Sequence, residues 1–182
     1  KGDAVRGYVR DALAALGGVD LLVNNASAFG SSDDEAGWTS SLAVDMIAIV
    51  HATQEAHPAL KKSQGSVVNI SSISALHPAA RQPPYGAIKA AAIHYTVTQA
   101  AMYAKDRIRV NCIAPGSVDF PGSIWDSRKT ENPALYNGTL ASIPFGRFGT
   151  PEEIANVALF LASPLASWVT GQAIAVAGAQ GL

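Results

Sequence analysis

Residues 66–99 read SVVNISSISALHPAARQPPYGAIKAAAIHYTVTQ. The stretch opens on an apolar strand signal, Ser66-Val67-Val68-Asn69-Ile70, and runs into Ser71-Ser72. A loop holding Pro78, Pro83 and Pro84 follows, and an alanine-rich helical pattern begins at Tyr85. Proline suits the first turn of a helix, where its missing N–H leaves nothing unsatisfied, so Pro84 helps mark the start. Tyr85 and Lys89 are four residues apart and share a face of that helix. An ordinary phenol titrates near a pKa of about 10, and a nearby cation favours the phenolate. Bringing it to neutrality takes roughly 4 kcal/mol of differential stabilisation. Ser72, at the end of the strand, could bring a hydroxyl to the same point. Taken alone, the Tyr85–Lys89 pair is weak evidence and reads more readily as a half-buried tyrosine beside a solvated lysine.

The rest of the chain decides between those readings. The 182 residues are 48% hydrophobic and 15% charged, with a formal net charge of -1. That suits a single α/β domain over residues 1–182 with a substantial core. So little basic charge gives no reason to expect a nucleic-acid partner. No apolar run approaches the roughly 20 residues that span a bilayer, so no membrane segment is expected. The opening KGDAVRGYVRDALAALGG has the pattern of an amphipathic helix and not of a signal peptide. A single cysteine, Cys112, excludes a disulfide framework and points to a cytoplasmic protein. Lying in an apolar strand signal, it reads as a small buried hydrophobe. His51, His57, His77 and His94 follow no metal-ligand spacing, and no metal site is expected.

Hydrophobic periodicity predicts helices over 2–16, 38–61, 85–104 and 151–162, and strands over 19–25, 66–71, 107–115 and 173–177. Gly17-Gly18 closes the first helix. Thr150-Pro151-Glu152-Glu153 opens the last one as a capping box, and residues 116–150 read as irregular. Alternating strands and helices imply a doubly wound parallel sheet in a three-layer α/β/α arrangement. Leu21-Leu22-Val23 reads as a strand paired on both edges. Only one helix precedes it, so an N-terminal part of the fold is expected outside this sequence.

Together the motifs resemble the short-chain dehydrogenase/reductase family along the whole chain. They are Asn24-Asn25-Ala26-Ser27, Asn69-Ile70-Ser71-Ser72, Tyr85-Gly-Ala-Ile-Lys89, Arg109-Val110-Asn111, Ala114-Pro115-Gly116-Ser117-Val118 and Gly146-Arg147-Phe148-Gly149-Thr150-Pro151-Glu152-Glu153. The resemblance implies a Rossmann sheet of which this sequence supplies the later strands, with the glycine-rich turn and the choice between NAD and NADP in the part that is not here. It implies an NAD(P)-dependent oxidoreductase interconverting a secondary alcohol and a ketone. Tyr85 would be the general acid or base, Lys89 would lower its pKa and hold the nicotinamide ribose, and Ser72 would hydrogen-bond the substrate oxygen. Asn25, Ala26, Ser27 and Ile70 would lie along the cofactor, and Pro115, Gly116 and Val118 would back the nicotinamide ring.

Four departures from the family pattern stand out. Ser27 replaces a glycine, Asp45 replaces a catalytic asparagine, Phe120 replaces a threonine at the carboxamide, and Ala177-Gly178-Ala179 replaces aspartate-glycine-glycine. In the family that asparagine opens a kink in its helix and holds a water through its backbone, a role Asp45 could keep. Residues 119–148, with Phe120, Ile124, Trp125, Leu135, Tyr136, Ile143 and Phe145, would form a substrate lid, or would simply pack a surface helix. The resemblance also implies a homodimer or homotetramer through helices 38–61 and 85–104. The competing reading is a non-catalytic scaffold or ligand-binding relative. It draws on Asp45 and Phe120, and it leaves the joint presence of Ser72, Tyr85 and Lys89 unexplained.

Overall fold

The computed structural model describes residues 2–181. Four parallel strands, β1 (Leu21–Asn24), β2 (Ser66–Ile70), β3 (Arg109–Pro115) and β4 (Ala173–Val176), lie side by side in chain order. The register aligns Asn24 with Asn69, Asn69 with Cys112, and Ile70 with Ile113, so the strands end along a common edge.

Both faces of the sheet are covered, as the alternating pattern implied. On one side, α1 (Gly2–Leu16), α3 (Ala48–Ser63) and α4 (Pro83–Tyr103) pack Val9, Ala56, Leu60, Ala100 and Tyr103 against Val67 and Val110. On the other, α7 (Pro151–Ala162) lays Ile154, Val157, Ala158 and Leu161 over Val68 and Ile113. Successive residues of a strand point to opposite faces, which is why Val67 and Val68 feed different cores. The connection from β3 to β4 therefore crosses the opposite face from the two before it. Gly17 takes φ 74° and sends its N–H to the Leu13 carbonyl, the left-handed stop expected of a helix closed by glycine.

Two expectations need correction. The helix read over 38–61 is α2 (Glu35–Ser41), a π-helical turn over Leu42–Ile47 and α3 in succession. Residues 116–150 are not irregular: they hold α5 (Ile124–Glu131) and α6 (Pro133–Ala141). The Ser123 hydroxyl and the Asn132 amide oxygen cap them by accepting the N–H groups of Asp126 and Leu135. At the start of α7 the capping box its sequence announces is present, with the Thr150 N–H donating to Glu153 at 2.9 Å. Arg109, the first residue of β3, donates to the carbonyls of Leu161, Ala162 and Ser163 at the far end of α7. It satisfies helix-terminal acceptors with a cation, where a cation is favoured.

β1 pairs only with β2 among the described residues, and Val23 is 43% exposed. No helix of the described residues is long and apolar enough to cross a membrane.

Candidate active site

The carboxyl edge of the sheet is built on buried amides. Asn69, fully buried, accepts from Asn24 Nδ2 at 2.8 Å and donates to Thr96 Oγ1 at 2.9 Å and Gln99 Oε1 at 3.1 Å. The two asparagines near the ends of β1 and β2 thus tie strand to strand, with Asn24 also reaching Thr53 of α3 and Asn69 reaching α4. Asn111 does the same for β3, donating to the Val169 carbonyl and accepting from the Gln172 N–H. Every polar atom so used would be costly to bury alone.

Just past those ties the chain carries Ser72. It caps a short helical turn over Ile73–Ala75, and the loop that follows packs tightly on the start of α4. Gly86 permits that approach: a Cβ there would lie 2.5 Å from Ala79 Cβ and 2.9 Å from the Ser74 carbonyl oxygen. Pro83 and Pro84 fill the first turn of α4, so the helix begins two residues before the expected Tyr85. This clamp brings Ser72 and Tyr85 together from opposite ends of the loop. The Ser71 hydroxyl donates to the Lys89 carbonyl at 2.8 Å and fixes the strand end to the next turn of the helix.

Lys89 and Asp45 meet in the interior. Their side chains are 3% and 0% exposed, and Lys89 Nζ lies 3.0 Å from Asp45 Oδ1. Lys89 also donates to the Ile70 carbonyl at 2.9 Å, and the Ala28 N–H donates to Asp45 Oδ2 at 3.1 Å. The kink expected at Asp45 is present as the π-helical turn, which sets this carboxylate facing α4. The carboxylate itself enters the site, a contact that a purely backbone role would not require.

Tyr85 runs against its expected titration. Burial pushes its phenol above the ordinary value, the Ser72 hydroxyl pulls it back in part, and the Asp45 charge pushes it further up. Lys89 Nζ is 5.5 Å from the centre of the Tyr85 ring, but its charge is already answered by the nearer carboxylate. The phenol thus stands above its ordinary value, with the Lys89 ammonium turned toward Asp45. The Phe29 ring, 4.8 Å from that of Tyr85, completes the wall. Phe29 holds φ 49°, a strained value for a bulky residue, and nothing in its sequence context announced it.

The residues expected along a cofactor lie at the strand ends. Asn25, Ala26 and Ser27 are exposed beyond β1, while Ile70 and Pro115 at the ends of β2 and β3, and Gly116 and Val118 beyond, are half-buried. Gly116 is also demanded by packing, since a Cβ there would stand 2.8 Å from Ala177 Cβ. A dinucleotide fits this edge in kind. The ledge is open where the strands behind it are sealed, and a buried ammonium, a phenol and a hydroxyl converge there on one side. Cys112, fully buried with its thiol pushed up to about 11 by burial, adds no nucleophile.

The residues expected to form a lid divide. Trp125 and Tyr136 stack on Phe148 at 5.1 and 4.7 Å, and Ile143 is buried. Phe120, Ile124 and Phe145 remain exposed, so packing accounts for only part of the aromatic content of this segment.

The family model described as enoyl-(acyl carrier protein) reductase matches residues 1–179. The chain is 38% identical to the 3-oxoacyl-[acyl-carrier-protein] reductase FabG of Chlamydia muridarum, over 98% of this chain and 72% of that protein. It is 36% identical to the 7alpha-hydroxysteroid dehydrogenase of Escherichia coli, over 92% and 66% respectively. A solved 7 alpha-hydroxysteroid dehydrogenase complexed with NADH and 7-oxo glycochenodeoxycholic acid superposes with a TM-score of 0.89 at 32% identity, covering 99% of this chain and 71% of that one.

Proposed function

The chain belongs to the short-chain dehydrogenase/reductase family, and from that premise we propose that it interconverts a carbonyl and a secondary alcohol with a nicotinamide dinucleotide. The observation that carries the reading is the convergence of Ser72, Tyr85 and Lys89 at the open end of a doubly wound sheet, where such folds take their ligands.

Each side chain has a defined part. Tyr85, kept protonated by its surroundings, hands its proton to the carbonyl oxygen as charge develops there, and takes it back when an alcohol is oxidised. Ser72 donates a hydrogen bond to the same oxygen and orients it. Lys89, anchored on the Ile70 carbonyl, keeps N–H capacity for a ribose hydroxyl. Asn25, Ala26, Ser27 and Ile70 line the dinucleotide, with Pro115, Gly116 and Val118 behind its reactive ring. When bound, the nicotinamide supplies or accepts the hydride. Residues 119–148 form the lid of a single unit spanning 1–182, and the exposed Phe120, Ile124 and Phe145 favour an apolar or mixed substrate. The NADH-bound relative makes NADH the first cofactor to try, with NADPH beside it. We further propose a homo-oligomer joined through α4.

The test is turnover of acetoacetyl-coenzyme A and of 7-oxo glycochenodeoxycholic acid with each reduced cofactor, followed by loss of reduced-nicotinamide absorbance. Tyr85→Phe should lower the rate at least about a hundredfold, the scale of a positioned general acid, with an unchanged circular dichroism spectrum. Unchanged turnover in that variant would remove Tyr85 from its role. Quenching of Trp38, Trp125 or Trp168 emission by a cofactor, with no turnover of either compound, would favour the ligand-binding relative.

A further inference from the structure

Among the described residues Asp45 is the one acid enclosed with the proposed catalytic trio, and its two oxygens do different things. Oδ2 accepts the Ala28 N–H at 3.1 Å and so holds the loop after β1. Oδ1 lies 3.0 Å from the Lys89 ammonium, and this approach is ionic, because Oδ1 has no hydrogen-bond partner. A carboxamide cannot satisfy both neighbours. With its oxygen toward Ala28 it would turn an NH₂ against the ammonium; flipped, it would turn the NH₂ against the Ala28 N–H. The carboxylate is the group that accepts on both sides.

We propose that Asp45 is a positioning residue that holds Lys89 through its side chain, welding the loop after β1, the π-helical turn and α4 into one unit whose charge is fixed beside Tyr85. This deepens the oxidoreductase reading and rests on it. With the carboxylate in place, a neutral Tyr85 leaves the enclosure with zero net charge, and a phenolate would leave it at minus one. The other groups near Tyr85 do not offset this. Ser72 is neutral, Phe29 is an apolar ring, Cys112 on β3 is held as a thiol, and Lys89 on α4 is already paired. Asp34 and Glu35 of the neighbouring α2 sit at its exposed start, where Asp34 caps the Gly37 N–H. The chain therefore carries Tyr85 as a proton donor over a wide pH range. Carbonyl reduction should hold its plateau into alkaline solution, and the alcohol-oxidising limb should rise late.

The deciding experiment is independent of turnover. Phenolate absorbance is titrated in the whole chain from about pH 7 to about pH 10, below and up to the ordinary tyrosine range. Tyr85→Phe is titrated in parallel, so that the difference isolates Tyr85 from the other tyrosines. The proposal expects no Tyr85 phenolate in this window for the unchanged chain. In Asp45→Asn, measured against Asp45→Asn with Tyr85→Phe, it expects Tyr85 phenolate to appear inside the window, because the Lys89 charge is no longer paired. Superimposable difference curves would overturn it. Should Asp45→Asn unfold, Lys89→Met with Asp45→Asn decides: the double variant melting higher than Asp45→Asn supports the pair, and simple addition of two separate losses refutes it. Unchanged turnover of Tyr85→Phe in the cofactor assay would sink the catalytic reading alone, and superimposable titrations would sink the pairing alone, so the two ideas fail separately.

Discussion

At the scale of single residues, Ala179 is the plainest departure with a measurable consequence. It holds φ 64°, where an L side chain crowds its own backbone and glycine does not. The family pattern placed glycine there, and the structure shows why the substitution matters. Ala179→Gly should raise stability by about 0.5–1 kcal/mol, the left-handed penalty less the extra chain entropy of glycine. Urea unfolding monitored by circular dichroism reads this as a higher midpoint at constant slope. Asn69 illustrates the opposite case, a motif residue whose contacts give it a structural role. Asn69→Ala strips partners from Asn24, Thr96 and the fully buried Gln99. It should cost about 2–3 kcal/mol, measured as a lower urea midpoint. Ser72, Tyr85 and Lys89 were legible because their spacing encodes a shared helix face and a strand end. Phe29 was not, because a ring recruited by an irregular loop leaves no periodic trace.

Among the elements, legibility followed hydrophobic pattern and failed where that pattern is thin. The strands are apolar runs and were found within two residues at either end. α5 reads IWDSRKTE, with only two apolar residues, so no stripe marks it as a helix; the Ser123 and Asn132-Pro133 caps were the available signals. The π-helical turn was foreshadowed only by the position of Asp45, since no periodicity distinguishes one widened turn inside a longer helix. The capping motif of α7 carries a pH signature. The Arg147 guanidinium first, and then the Thr150 N–H, hold the Glu153 carboxyl down at about 2. A carboxyl depressed on folding stabilises fully above its unfolded value and ceases to do so as pH falls through its folded one. Glu153→Gln should therefore be less stable than the unchanged chain at neutral pH. That deficit should shrink below about pH 4.5 and vanish near about pH 2, tracked by thermal melts across the acid range. A deficit constant with pH would mean that packing, not charge, is what the variant loses.

For the whole molecule, α4 poses the question its neighbours do not answer. The helix buries Ile88, Lys89, Ala92, Thr96, Gln99, Ala100 and Tyr103 against the sheet and the π-helical turn. Its opposite face, through Ala87, Ala91, His94, Val97, Ala101 and Met102, carries no formally charged side chain, with Val97 48% and Met102 58% exposed. An uncharged helix face with exposed Val97 and Met102 is one that a second helix can cover, and small residues allow it to approach closely. That is the physical case for self-association through α4, independent of family habit. A second apolar group competes with it at the end of α7 and beyond, where Leu165 is 83% and Trp168 98% exposed. Sedimentation of the whole chain separates the two. We expect a dimer or tetramer that Val97→Glu with Met102→Glu converts to a smaller species of unchanged circular dichroism, because two carboxylates buried without partners cannot be accommodated in a helix contact. Persistence of the full assembly in that variant, with dissociation by Leu165→Glu and Trp168→Glu instead, would move the contact to the end of α7. A monomer at every concentration would leave the apolar face of α4 without the self-partner proposed for it.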